Sequence, residues 1–176
     1  MNNTSAEPPS KYTCAVDVQC MYADVSVPAD QTLGKWVNAV ISFLVEHKQL
    51  EQTDYEVAIR VVDKVDSQQL NNQYRQKDAP TNVLSFPFDT PEIFKQCQQL
   101  DILGDIVVCA LIVEAEAQQQ NKSIEQHWAH MIVHGVLHLL NYDHINHDDA
   151  SLMEALEVRI LSQLGYPNPY TEYPYE

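Results

Sequence analysis

HGVLHLLNYDH, running from His134 to His144, sets three histidines among residues that are mostly apolar. Histidine is a poor filler for a core and a good holder of metals. Upstream, Ser123-Ile-Glu-Gln126 fits a capping box that opens a helix, and the apolar residues that follow carry it to about Leu140. Residues four apart share one helical face, so His134 and His138 present two imidazoles a turn apart. His144 comes too late to continue that face. Asn141 supplies the break: past a helix end the chain often enters the left-handed region, and asparagine follows glycine in tolerating it. A reversal there brings His144 back toward the pair. Three neutral histidines leave one position on a tetrahedral ion open to water or substrate, which marks a catalytic zinc site. Imidazoles also suit nickel, copper and iron, so one Zn2+ is the first choice and Ni2+ an alternative. His147 competes with His144 for the third place. His127 and His130, near the same stripe, read as supporting or surface residues. Gly135 stands where H-E-x-x-H peptidases carry their glutamate base, which speaks against that class and lets another element approach closely.

Working outward, Tyr12–Cys20 alternates as a strand, and Thr32–Glu46 has the apolar spacing of a helix buried on one side. Tyr55–Val62 alternates again. Asp66–Tyr74 is a short helix with Asp66 as N-cap and Leu70 facing inward. Val83–Phe86 is a short strand, bounded by Pro87 and by a loop reaching to about Leu100. Ile102–Cys109 is a buried strand, and a helix follows from about Leu111 to Gln120. A last helix, capped by Asp148 or Ser151, carries a stripe of Leu152, Met153, Leu156, Ile160, Leu161 and Leu164, and stops at Gly165. Strands mixed with helices predict an α+β single domain, a small mixed β-sheet packed against several helices. The expected layout is a flexible segment over 1–10, one domain over 11–170, and a tail over 171–176.

The 176 residues are 45% hydrophobic, which suits one ordinary core. With 25 acidic and 10 basic side chains the formal net charge is -15. That excludes a broad basic nucleic-acid footprint but not a local basic site, or a cation that inverts the local sign. The polar start, MNNTSAEPPSK, lacks a secretory pattern, and no apolar run is long enough to suggest a membrane span. A cytoplasmic protein without membrane attachment is expected. Cys14, Cys20, Cys97 and Cys109 form no C-x-x-C pair and read as reduced, mostly buried thiols.

Among three arginines, Arg60 lies in mid-strand and Arg159 on the last helix, where a glutamate neighbour would pair with it. Arg75 opens a loop beside Lys77. Its planar, always-charged fork matches two phosphate oxygens, which makes it the best phosphate contact. Thr81, Asn82 and Ser85 flank the short strand and could bind substrate or cap turns. Asp143 could orient a histidine or cap the turn. Asp105, in an apolar strand, reads as a buried carboxylate that needs a partner, either a ligand or a backbone amide.

The sequence resembles the YbeY family of bacterial endoribonucleases. The stretch HGVLHLLNYDH follows the family pattern H-G-x-L-H-L-x-G-Y-D-H except at Asn141, where the family has glycine. LNNQYRQKDAPTNVLSFPFD (Leu70–Asp89), LGDIVV (Leu103–Val108) and LGYPNPY (Leu164–Tyr170) match as well. The resemblance implies a compact α+β domain with a metal, usually zinc, on His134, His138 and His144. It implies single-strand-specific cleavage of RNA during maturation of the 3′ end of small-subunit ribosomal RNA and in ribosome quality control. It treats Arg75 as functionally essential. The expected catalytic residues are Arg75 and His134, and the expected substrate-binding set is Arg75, Lys77, Thr81, Asn82 and Ser85. Implied partners are ribosomal RNA and ribosomal particles, with ribosomal or GTPase assembly proteins as further candidates, and no DNA. Two alternatives stay open: a zinc hydrolase of another class, such as a peptidase or amidase, and a non-catalytic ribosome-assembly factor. The charge of -15 predicts slow cleavage of isolated RNA and dependence on ribosomal context.

Overall fold

The computed structural model describes residues 13–22, 25–51, 54–89, 91, 100–143 and 146–171. Four strands form one mixed sheet: β1 (Cys14–Cys20), β2 (Asp54–Val62), β3 (Val83–Pro87) and β4 (Leu100–Cys109), in the order β1-β2-β4-β3. β1, β2 and β4 run parallel and β3 runs antiparallel at one edge. Among the described residues the helices are α1 (Asp30–Glu46), α2 (Lys64–Arg75), α3 (Ala110–Gln119), α4 (Ile124–Leu139) and α5 (His147–Gln163). The expected α+β architecture is therefore observed.

Alternation along the strands sorts their side chains onto two faces. Val57, Ile59 and Val61 of β2, Ile106 and Val108 of β4, and Val83 of β3 enter the main core with α1, α4 and α5. Val62, Leu84 and Val107 point to the opposite face and pack with Leu70 of α2 and Phe86. α4 is the central element: it touches α1, α3, α5, β3 and β4. From His127 to Leu137 all its residues are buried except His134, which is half-buried. A helix buried nearly all round has no solvent face on which histidines would be incidental.

Two glycines permit close approaches. Gly104, at φ +134°, sits where a β-carbon would lie 2.1 Å from the Phe86 carbonyl oxygen, so β3 crosses β4 there only because no side chain intervenes. A β-carbon on Gly135 would meet Ile106 at 3.1 Å and the Ser85 hydroxyl at 3.4 Å. The Ser85 hydroxyl donates to the Gly135 carbonyl at 2.9 Å, which ties β3 to α4. The close approach expected at Gly135 is present.

Several local expectations are corrected. α2 starts earlier than expected, because Asp63 rather than Asp66 is its N-cap, its carboxylate accepting the Asp66 amide at 2.8 Å. α5 is capped by Asn146, not Asp148 or Ser151; the Asn146 side chain accepts the Asp149 amide. Leu152 is exposed and Leu164 only half-buried, while Glu157, omitted from the apolar stripe, is fully buried. Among the described residues Arg159 pairs with no glutamate: it lies over the Phe43 ring and against His47. Asp105 is not a buried carboxylate on a ligand or a backbone amide: it is partly exposed and pairs with the Arg60 side chain at 3.0 Å. Cys14 and Cys109 are buried thiols and Cys20 is exposed. Residues 1–10, Tyr12, Cys97, His144 and 172–176 lie outside the described residues, as does most of the loop expected before Leu100.

Candidate metal centre

α4 begins at Ser123, whose hydroxyl accepts the Gln126 amide at 3.1 Å. It ends in a Schellman arrangement: the Tyr142 amide reaches the Leu137 carbonyl and the Asn141 amide the His138 carbonyl, both at 3.0 Å, with Asn141 at φ 65°. The predicted left-handed break at Asn141 is present. It turns the chain directly after His138, so that Asn141, Tyr142 and Asp143 line the same cleft as the histidines.

His127, His130, His134 and His138 form one stripe along α4. Successive ring centroids are 6.2, 6.3 and 4.5 Å apart, the closest pair being His134 and His138. These two rings open onto a cleft of about 690 Å³, which Arg75 and Ser85 also line. Arg75 is exposed at the last residue of α2, whose C-cap, Gln76, adopts the left-handed conformation at φ 57°. Four separate pieces of chain therefore meet at one depression: the end of α2, β3, the last turns of α4 and the Asn141 turn. The structure brings together Arg75, Ser85, His134 and His138 of the expected site. Lys77, Thr81 and Asn82 do not line the cleft. Lys77 is exposed beyond α2. Thr81 binds Ser67 through its backbone. The Asn82 amide group donates to both carboxylate oxygens of Glu116, and its carbonyl oxygen accepts the Val83 amide. His147, on the first turn of α5, is exposed and contacts Ser151.

Behind the stripe lie two carboxylates that sequence reasoning missed. Glu116 of α3 accepts from His127 Nε2 at 2.7 Å and from Asn82. Burial raises the Glu116 pKa, but the hydrogen bonds from His127 and Asn82 outweigh it and hold the carboxyl below its ordinary value. Glu157 of α5 is 0% exposed. Its Oε1 lies 2.6 Å from His134 Nδ1, its Oε2 3.5 Å from His130 Nε2, and the Tyr170 hydroxyl donates to the same Oε2. Burial would raise this carboxyl too, yet its bonds to His130 and His134 hold it at about 2. His130, buried, has its pKa lowered, with desolvation the leading cause, so it favours the neutral ring. The buried Nδ1 atoms of His127 and His130 have no hydrogen-bond partner among the described residues.

The donor set fits a transition metal. Two imidazoles one turn apart face an open cleft, and one is already oriented by a buried carboxylate, the usual support for a ligating histidine. A second trio, His130, His134 and Glu157, offers atoms within 4.8 Å of one another. Its carboxylate, however, is sealed from solvent and already accepts donors on both oxygens. The signal for Glu157 was present in the sequence: a lone carboxylate in the buried stripe Met153, Leu156, Ile160, Leu161.

Comparisons agree with this reading of the fold. The profile described as Endoribonuclease YbeY matches residues 18–165. Among solved structures, the solution structure of TM1509 from Thermotoga maritima superposes with a TM-score of 0.53 at 20% identity, covering 93% of this chain and 100% of that one. At that identity the likeness speaks for the fold alone.

Proposed function

The chain belongs to the YbeY endoribonuclease family, and from that premise we propose a metal-dependent, single-strand-specific endoribonuclease that matures the 3′ end of small-subunit ribosomal RNA and serves ribosome quality control. The observation that carries the proposal is the shared cleft: Arg75, the one arginine lining it among the described residues, stands with His134 and His138 although it comes from a distant part of the chain. His134 and His138, completed by His144, would hold one ion, with zinc first and nickel as an alternative. Such an ion supplies Lewis acidity toward a phosphoryl oxygen.

The chain's own groups do the rest. Arg75 places a guanidinium fork against the phosphodiester and balances the negative charge that cleavage concentrates on its oxygens. Ser85, with its hydroxyl bonded to the Gly135 carbonyl, fixes the distance between the β3 edge and the histidine helix. Lys77 lies beyond the rim, where it would meet the flanking backbone of a bound strand. Thr81 and Asn82 act on substrate indirectly in this proposal, by holding the α2–β3 connection to Ser67 and Glu116. The acidic surface repels free RNA, so productive binding draws on ribosomal RNA already held within ribosomal particles and on assembly proteins there. No described helix is long and apolar enough to cross a membrane.

The test compares His134→Ala with Arg75→Ala on a single-stranded ribosomal RNA fragment and on ribosomal particles. Both variants should lose cleavage and only the first should lose metal. Full activity of Arg75→Ala would refute the mechanism.

A further inference from the structure

Glu157 is the one carboxylate that is buried among the described residues. A sealed carboxylate is tolerated only when donors surround it. Here the donors are the His134 ring at 2.6 Å, the more distant His130 ring at 3.5 Å and the Tyr170 hydroxyl. An ionised carboxylate can only accept, so the hydrogen between it and His134 belongs to Nδ1. In the neutral ring that a metal ligand requires, this fixes the tautomer of His134 and leaves Nε2 as its lone-pair nitrogen.

Tyr170 reaches this position because the chain after α5 is strapped onto α1 and α4. The Tyr166 hydroxyl accepts from Trp36 Nε1 at 3.3 Å and donates to Glu125 at 2.6 Å; Lys122 Nζ donates to the Pro169 carbonyl at 2.5 Å. Tyr170 then meets His130 edge-on, with ring centroids 5.5 Å apart, and closes over the second oxygen of Glu157. Burial and the bond to Glu157 push its phenol pKa up, so it remains a donor.

We infer that Glu157 is the positioning residue of the metal centre: it holds His134 with Nδ1 protonated and Nε2 turned to the ion, and Tyr170 locks Glu157 in place, so the segment 166–170 is a working part of the site. This rests on the metal-centre reading above. The competing arrangement, in which His130, His134 and Glu157 are themselves the ligands, predicts the opposite nitrogen of His134.

The experiment loads full-length protein with cadmium-113 and reads the histidine nitrogens by NMR, with zinc affinity measured by chelator competition. Wild-type protein should show His134 protonated at Nδ1 and coupled to cadmium through Nε2. Glu157→Gln should weaken zinc about 10–100-fold. Tyr170→Phe, which removes only a hydroxyl, should weaken it in the same direction by less, and it decides the matter if Glu157→Gln does not fold. Coupling through His134 Nδ1 overturns the inference, as does zinc affinity unchanged in the variants that fold. Wild-type protein that takes up no metal refutes the metal centre itself, a distinct outcome.

Discussion

The two halves of α4 each carry a pair of histidines on the same face, three residues apart in the first half and four in the second, and use them differently. In the first half His127 and His130 are buried, each facing a carboxylate from another element. In the second half His134 and His138 are half-buried and face the cleft. Either spacing makes the two rings neighbours on one helical face, so it does not say which pair is covered. What packs opposite does: α3 covers His127 with Glu116, the segment after α5 covers His130 with Tyr170, and the cleft stays open over the last two turns. Periodicity aligns candidate ligands on one face, and tertiary cover decides which of them can reach an ion.

The largest expected effect tests that division directly. His138→Ala should abolish both stoichiometric zinc binding and RNA cleavage. His127→Ala should keep both but lose about 1–3 kcal/mol of stability in a denaturant titration, because it leaves Glu116 short of a donor in a partly buried place. Equal loss of metal from both variants would erase the difference between the halves. Next in size, Arg75→Ala should lower cleavage about 100–1,000-fold at unchanged metal content, placing the arginine with the open half only.

The covered half should show itself in acid. The Glu116 carboxyl has a folded pKa below its ordinary 4.5. The unfolded chain therefore binds that proton first, and the stability contributed by the His127 contact is complete above about pH 4.5 and fades as pH falls through the folded value. Stability measured against pH should fall in that window for wild-type protein, and less steeply for Glu116→Gln. Parallel curves would mean that the contact adds nothing. The smallest effect is expected for Ser85→Ala: a loss of about 1 kcal/mol of stability with kcat retained, since its hydroxyl is engaged by Gly135. A large rise in KM instead would make Ser85 a substrate contact.

Much of this arrangement could be read in the chain. The Asn141 break was legible because a helix end is a local event, settled by hydrogen bonds among neighbouring residues. Gly135 and Arg75 were legible as well, one as the residue without a side chain where a glutamate might stand, the other as the arginine beside the turn. Caps were less so. Asp63 and Asp66 lie three residues apart and either could have capped α2; the backbone entering the helix chose the first. Around α5, Asn146 precedes Asp148 in a run of equally suitable side chains. Glu157 was passed over because a glutamate on a helix ordinarily faces water, and only the packing of α5 against α4 turns it inward. Tyr170 closes the LGYPNPY stretch, but nothing local pointed to its role, since its partners His130 and Glu157 are distant in sequence.

The central claim is that the open half of α4 holds the ion. Anomalous diffraction from a zinc-loaded crystal tests it most directly. The claim predicts a single peak in the cleft, bonded to His134 Nε2, His138 and His144 at about 2.0–2.1 Å. A peak among His130, His134 Nδ1 and Glu157 would contradict it.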